Sequence, residues 1–317
     1  MSTKYDEPLV FGRNHARRDF IRHVGSAIVL GAIGSSVLSR TFAATAKAPQ
    51  SKPLVGSNIY VWTQYAKREK RELDMEGVIS ALRDAGYDYL ESFMDLDQPE
   101  NNGKLADQFK AKGLRPVSLY VGPELHSGKA RESVGKVLAA AKICQAAGFQ
   151  VISCNAKPIG REKTDEELKT QVAALIELGE GLNALSMKLG VHHHLPEMAN
   201  NAREFHYNFR HSKPDVVGFC YDVHWVWKGG IAPLDALKEY GNRVVTWHLR
   251  QSRDQVWWED LDTGDVDYEV VAKYAQEHKL PRRFSVELAL EASTKITRSV
   301  VENHRRSREF VRKVFGA

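Results

Sequence analysis

Residues 134–155, VGKVLAAAKICQAAGFQVISCN, decide the fold. Val134, Val137, Leu138 and Ala141 fall three and four apart, which is the spacing of one apolar helix face, and this predicts a helix over 134–147. Gly148 follows, a residue suited to the left-handed backbone of a helix end. Phe149–Cys154 is then a short apolar run of strand composition, and Asn155 is polar where that run stops. The unit is helix, glycine, strand, polar residue.

The same unit recurs outward from this stretch in both directions. Strands are expected at Gly56–Trp62, Tyr87–Phe93, Leu114–Val121, Phe149–Cys154, Leu189–His194, Val216–Tyr221, Arg243–Leu249 and Phe284–Leu288. Their starts are spaced by roughly 27 to 41 residues, too far apart for a short solenoid repeat. A second long amphipathic stretch runs from Glu166 to Leu189. Gly86, Gly113, Gly148 and Gly190 read as helix C-caps, and Asp74, Thr164 and Asp267 as N-caps. Eight strand-plus-helix units predict an α/β chain folded as a single-domain (β/α)8 TIM barrel. A doubly wound open sheet is the competing architecture. After the first strand, however, Ile59-Tyr60-Val61-Trp62-Thr63 is aromatic where a glycine-rich phosphate loop would be required.

A barrel gathers its functional groups at the carboxyl ends of its strands. Those ends carry Glu91, Asn155, His192-His193-His194 with Glu197 three residues on, Asp222 and His224, His248 and Arg250, and Glu287. Buried charges are costly unless paired or bound to metal, so carboxylates and imidazoles converging on one mouth point to a shared cation. The donor set suits one divalent ion, and leaves manganese, magnesium, zinc and cobalt open. Each residue also has a plainer reading. A single histidine is more often a hydrogen-bonded structural residue, Asp222 can cap a helix, and Glu287 can pair with Arg250. Strand alternation puts His192 and His194 on one face and His193 on the other, so His193 is expected to be structural. Glu197 can bend back to the ion or pair at the rim. Trp62, Phe93, Trp225, Trp227, Trp257 and Trp258 can stack on sugar faces, or simply pack.

Residues 1–46 read as a leader. Arg17-Arg18-Asp19-Phe20-Ile21-Arg22 is a paired-arginine box, Val24–Leu38 is an uncharged apolar run too short to span a bilayer, and Ala44-Thr45-Ala46 is a small-residue cleavage pattern. The expectation is a twin-arginine signal peptide over 1–46, a linker over 47–53 and the barrel over 54–317, with the twin-arginine export machinery as partner and the periplasm, or the exterior generally, as destination. An uncleaved anchor is the competing reading. The leader holds six Lys/Arg against three acids, so a whole-chain charge of +5 leaves the remainder near +2. No nucleic-acid partner is expected of so nearly neutral a chain. Arg305, Arg306, Arg308, Arg312 and Lys313 alternate with apolar positions as the wet face of a closing helix. Cys144, Cys154 and Cys220 are too few and too widely spaced for a disulfide framework and read as buried thiols.

From His192 onward the chain resembles the xylose isomerase-like TIM-barrel superfamily, the sugar phosphate isomerase/epimerase family. His192-His193-His194-Leu195-Pro196-Glu197-Met198 is similar to a His-Asn-His-x-x-Glu-Phe motif. Tyr221-Asp222-Val223-His224-Trp225-Val226 with Gly229-Gly230, Trp247-His248-Leu249, Gly264-Asp265-Val266-Asp267-Tyr268 and Ser285-Val286-Glu287 resemble later segments of the same family. The resemblance implies a metal set of one acidic residue on strand five, then Asp222, His248 and Glu287. On strand five this chain has His192 where many relatives have Glu, and Glu197 is the nearest carboxylate. Arg250-Gln251 stands where relatives often have Lys-Asp, which alters the substrate contacts expected there.

The chemistry implied is proton abstraction next to a carbonyl. The metal stabilises the enediolate, and His194, Glu287 and Glu197 are the candidates to move protons. Trp62, Glu91, Asn155, His224, Trp225 and Arg250 are candidate substrate contacts. Export argues for a non-phosphorylated sugar or keto-sugar, and so for an isomerase or epimerase. Elimination or hydrolysis of a 3-keto-glycoside or an inosose-like substrate begins with the same step. A non-catalytic periplasmic sugar-binding protein is the reading from another class. An endonuclease on the same barrel would need more ligands and a basic face. Copies of related barrels often associate, though no interface is marked in the sequence.

Overall fold

Short strands alternating with amphipathic helices bury both faces of a parallel sheet only if the sheet is wrapped by the helices, and here the sheet closes on itself. The computed structural model describes residues 52–317; the leader expected over 1–46 and residues 47–51 lie outside the described residues. Eight parallel strands form the barrel: β1 (Leu54–Asn58), β2 (Tyr89–Phe93), β3 (Ser118–Val121), β4 (Val151–Cys154), β5 (Lys188–Val191), β6 (Gly218–Asp222), β7 (Val244–Leu249) and β10 (Arg283–Val286). Their order around the closed barrel is β1-β10-β7-β6-β5-β4-β3-β2. A two-stranded antiparallel hairpin, β8 (Ser252–Arg253) and β9 (Val256–Trp257), rises after β7.

The helices are α1 (Tyr60–Arg68), α2 (Met75–Asp84), α3 (Glu100–Ala111), α4 (Ala130–Ala147), α5 (Asp165–Ala184), α6 (Ala199–Arg210), α7 (Val223–Lys228), α8 (Pro233–Tyr240), α9 (Tyr268–Glu277) and α10 (Val300–Phe315). Asp74, Thr164 and Asp267 cap α2, α5 and α9, each accepting backbone N–H groups of the first turn. Thr164 and Glu167 close a reciprocal capping box. α10 buries Val300, His304 and Val311 and turns Arg305, Arg306, Arg312 and Lys313 to solvent. No described helix is long and apolar enough to cross a membrane.

Two expectations about local structure need correction. The first strand ends at Asn58, not Trp62. Asn58 Oδ1 accepts from Tyr60 N at 2.9 Å, a turn that stops the strand and opens α1, so Tyr60-Val61-Trp62 is helical. Gly190 is no helix cap; it lies inside β5. A Cβ there would stand 2.9 Å from Val245 Cγ2, and one at Gly218 would stand 2.8 Å from Val245 Cγ1. The two glycines therefore make room for Val245. Val245 needs that room because β6 and β7 slip register: Phe219 pairs with Val244, but Cys220 pairs with Thr246. The extra residue is a bulge, and it sets which face Thr246 and His248 present.

Candidate metal centre

Inward-facing residues alternate along each strand, so residues two apart share the barrel interior. On one half of the barrel the last inward position of each stave carries a side chain that could ligate a metal. His192 follows β5, Asp222 ends β6, His248 lies in β7 and Glu287 follows β10. One donor atom from each lies within 4.8 Å of the others, and all four residues are buried. His192 Nε2 is 3.3 Å from Asp222 Oδ2 and 3.8 Å from Glu287 Oε2. His248 Nδ1 is 3.2 Å from Glu287 Oε2. Asp222 also caps α7, its Oδ1 accepting from Trp225 N at 2.7 Å, which fixes the carboxylate plane and leaves Oδ2 inward. Both readings of Asp222, cap and candidate ligand, thus apply to different oxygens.

The opposite half supplies a carboxylate of another kind. Glu91 in β2 is fully buried; its Oε1 accepts from Asn58 Nδ2 at 2.9 Å and its Oε2 from Ser153 Oγ at 2.9 Å. Across the barrel, His248 Nε2 approaches Glu91 Oε1 to 2.7 Å. Burial alone would raise the Glu91 pKa, but His248 and the Ser118 and Ser153 hydroxyls outweigh it and bring it down to about 2. Burial likewise disfavours the His248 imidazolium, and Cys220, Glu91 and Glu287 around the ring overcome that and hold its pKa well above the ordinary value. A carboxylate behind one nitrogen of a histidine, with the other nitrogen turned to the donor cluster, is the arrangement that orients metal-binding imidazoles.

The donor set fits a divalent ion on the structure's own terms. His192 Nδ1 and both ring nitrogens of His248 are buried and make no aligned hydrogen bond within the protein. Two carboxylates and two imidazoles are hard-to-borderline donors suited to first-row divalent ions and magnesium.

Arg250 intrudes on this group. Its Nη2 donates to Asp222 Oδ2 at 2.8 Å and to Glu287 Oε2 at 3.0 Å. Burial opposes charge on Asp222, but Arg250 and then His192 outweigh it and hold the carboxyl well below the usual carboxylate range. The guanidinium lies beside two indoles that meet edge to face, 5.0 Å from the Trp225 ring centre and 4.9 Å from that of Trp257. The β8–β9 hairpin delivers Trp257. Its turn residues Asp254 and Gln255 have φ of 54° and 68°, and Asp265 accepts from both their N–H groups. Gln251 bolts the hairpin down, its side chain bonding Asp262 O, Val266 O, Ser252 N and Val266 N. Gln251 is thus a scaffold residue.

The remaining expected residues fall in several places. Glu197 stands outside the four-donor group: its Oε2 accepts from His194 N at 2.7 Å, closing the loop after β5. Burial, with Glu204 nearby, pushes its carboxyl up to about 8. His194 does reach the site, its ring 4.6 Å from that of His192 and 5.7 Å from Trp225. Burial, then His192 and Arg250, holds it well below the ordinary histidine value, which keeps the ring neutral. His193 faces away into Phe205, Phe209 and Phe219 and meets Asn208 Nδ2 at 3.3 Å. His224 is buried against Ser252 Oγ at 3.0 Å, and burial with Arg250 lowers it to about 3. Asn155 is buried beside Tyr120, whose hydroxyl donates to its Oδ1 at 3.4 Å. Trp62 is not at the mouth. It sits on α1, stacked on His304 at 4.5 Å and donating to Ser57 Oγ, behind the barrel wall. Glu91, expected as a substrate contact, is fully buried behind His248. Phe93 is half exposed at the end of β2.

Tyr120 was not among the expected residues. Its ring lies 5.5 Å from His192 and 6.4 Å from His248, forming a wall of the site. Asking one inward residue of every strand end would have found it, since it is the penultimate residue of β3.

A family model described as xylose isomerase-like TIM barrel matches residues 79–314. An inosose dehydratase from Clostridium tetani (strain Massachusetts / E88) is 30% identical over 102 residues, which is 31% of this chain and 34% of that protein; the match thus spans about a third of the relative's length. A sugar phosphate isomerase/epimerase from Parabacteroides distasonis ATCC 8503 superposes with TM-score 0.66 at 19% identity, over 83% of this chain and 95% of that one. The IOLI protein with a binding zinc atom superposes with TM-score 0.61 at 17% identity, over 83% and 98%.

Proposed function

The chain belongs to the xylose isomerase-like TIM-barrel family, and on that premise we propose that it is a metal-dependent sugar isomerase or epimerase that removes a proton next to a carbonyl of a non-phosphorylated sugar or keto-sugar. One observation carries the reading: four adjacent staves each bring a donor to one point, with all four donor atoms within 4.8 Å. His192, Asp222, His248 and Glu287 would hold the ion, and Glu91 would set the His248 ring. A divalent ion there supplies Lewis acidity towards a substrate oxygen, making the neighbouring C–H easier to deprotonate. His194, its ring 4.6 Å from that of His192, is the group placed to take that proton beside the donor cluster. Trp225 and Trp257 offer apolar faces to a sugar ring. The zinc of the IOLI protein supports a metal in this fold, without fixing which metal serves here.

A second reading is elimination of water from an inosose-like ketone or a 3-keto-glycoside. The partial match to an inosose dehydratase favours it, and it shares the first step. The paired-arginine box and cleavage pattern of residues 1–46 support export to the periplasm by the twin-arginine machinery.

The test is elemental analysis of protein purified without chelator, beside an Asp222→Ala/His248→Ala double variant, followed by incubation with keto-sugars in deuterated water. Near-stoichiometric metal in the wild type alone, with deuterium entering next to the carbonyl, is expected. A wild type that takes up no divalent ion and exchanges no proton sinks the enzyme reading in favour of a sugar-binding protein.

A further inference from the structure

Arg250 Nη2 is bonded to two of the four candidate donors, the Asp222 and Glu287 oxygens that also face His192 and His248. An arginine fixed for structure would use its planar fork, one nitrogen to each oxygen of one partner. Here a single nitrogen serves both Asp222 and Glu287, and the buried Nε has no partner at all. The hold is tight in charge and loose in geometry. The guanidinium also lies against the Trp225 and Trp257 rings, which meet edge to face 5.5 Å apart and give the cation a second contact besides the carboxylates. A divalent ion and a guanidinium repel one another in so small a space, and both need the same oxygens.

We propose that Arg250 is an internal cation that trades places with the divalent ion: it neutralises Asp222 and Glu287 when the ion is absent, and is displaced onto the Trp225 and Trp257 rings when the ion binds. The inference rests on the metal-dependent reading above. It assigns Arg250 two positions, one bonded to the two carboxylates and one held by the indoles alone. It also makes the affinity for metal an apparent one, reduced by the fraction of time the arginine holds the seat.

Zn2+ is the probe, since it is silent to light and does not quench by paramagnetism. Calorimetric titration of Zn2+ into the wild type, Arg250→Gln, Arg250→Lys and His248→Ala is expected to rank Arg250→Gln tightest, by about tenfold or more over the wild type, which corresponds to the arginine holding the seat about nine-tenths of the time. Arg250→Lys, which keeps the charge, should fall between them, and His248→Ala should bind least. Zn2+ should also change the tryptophan emission of the wild type, and Trp225→Phe should shrink that change. Equal or weaker binding by Arg250→Gln overturns the exchange while leaving the metal site standing. Failure of every folded variant to bind Zn2+ overturns the exchange and the metal-dependent reading together. Should Arg250→Gln not fold, the emission experiment decides alone, and an unchanged wild-type spectrum at saturating Zn2+ overturns the exchange.

Discussion

The two halves of the barrel present the same kind of position and do different things with it. Staves β5, β6, β7 and β10 end in His192, Asp222, His248 and Glu287, which meet at a point. Staves β1 to β4 bring Asn58, Glu91, Tyr120 and Asn155, which do not meet at that point. Glu91 is as acidic as any residue opposite, yet Asn58 and Ser153 engage its two oxygens and His248 closes over it. The difference lies in what surrounds the acid. Neutral donors, Asn58 and Ser153, hold both Glu91 oxygens and leave it to work through His248, whereas Asp222 Oδ2 and Glu287 Oε2 already share a cation, Arg250. One half is a donor set and the other is its support.

The largest break in this comparison should come from Asp222→Ala. Loss of a donor that also caps α7 is expected to abolish stoichiometric metal and to lower turnover by about a thousandfold or more, read by elemental analysis and deuterium exchange. Gly218→Ala attacks the same half through its backbone: a Cβ would lie 2.5 Å from Leu189 O. A stability loss of about 2–3 kcal/mol is expected in denaturant titrations, and a change below about 0.5 kcal/mol would refute the packing argument. Glu91→Gln tests the supporting half. It should weaken metal binding by about 10- to 100-fold with all four donors intact. It should also change acid behaviour. The folded-state pKa near 2 lies below the unfolded value, so the ionised Glu91 adds stability above about pH 4.5 that is lost as pH falls towards 2. Glu91→Gln should lack that window in acid unfolding curves. The smallest effect belongs to Glu197→Gln. The Glu197 carboxyl titrates near 8 when folded and near 4.5 when unfolded, so wild-type stability should fall as pH rises between those values and level off above. Gln keeps an acceptor for His194 N without the ionisation, and should flatten that fall in denaturant titrations run between about pH 5 and 8.

Periodicity made the barrel legible, because alternation of strand and helix needs no knowledge of what packs where. Within the site, His192 and His193 stand on the opposite faces that alternation predicts, while His248 faces inward only by way of the bulge at Val245. What stayed hidden depends on contacts across the barrel. Glu91 has the composition of a ligand or a substrate contact, and only the reach of Asn58, Ser153 and His248 gives it another role. Trp62 has strand composition, but the Asn58 turn starts a helix before it. Gly190 precedes no strand, because its partner in packing, Val245, is distant in sequence. The choice between His192 and Glu197 on strand five likewise turned on a backbone hydrogen bond, Glu197 to His194 N, that no pattern encodes.

The bulge at Val245 makes the site depend on counting. Upstream of it, Val244 shares a face with Phe219; downstream, His248 shares one with Asp222. If Val245 paired with Cys220 instead of standing out as the extra residue, the ladder would be unbroken and the parity of all that follows would reverse. Trp247 and Leu249 would then point to the centre, and His248 and Arg250 to the helices. The bulge is therefore what turns a hydrophilic mouth and not a greasy plug to the centre, and the residue left out of the ladder is as much a part of the centre as the histidine itself.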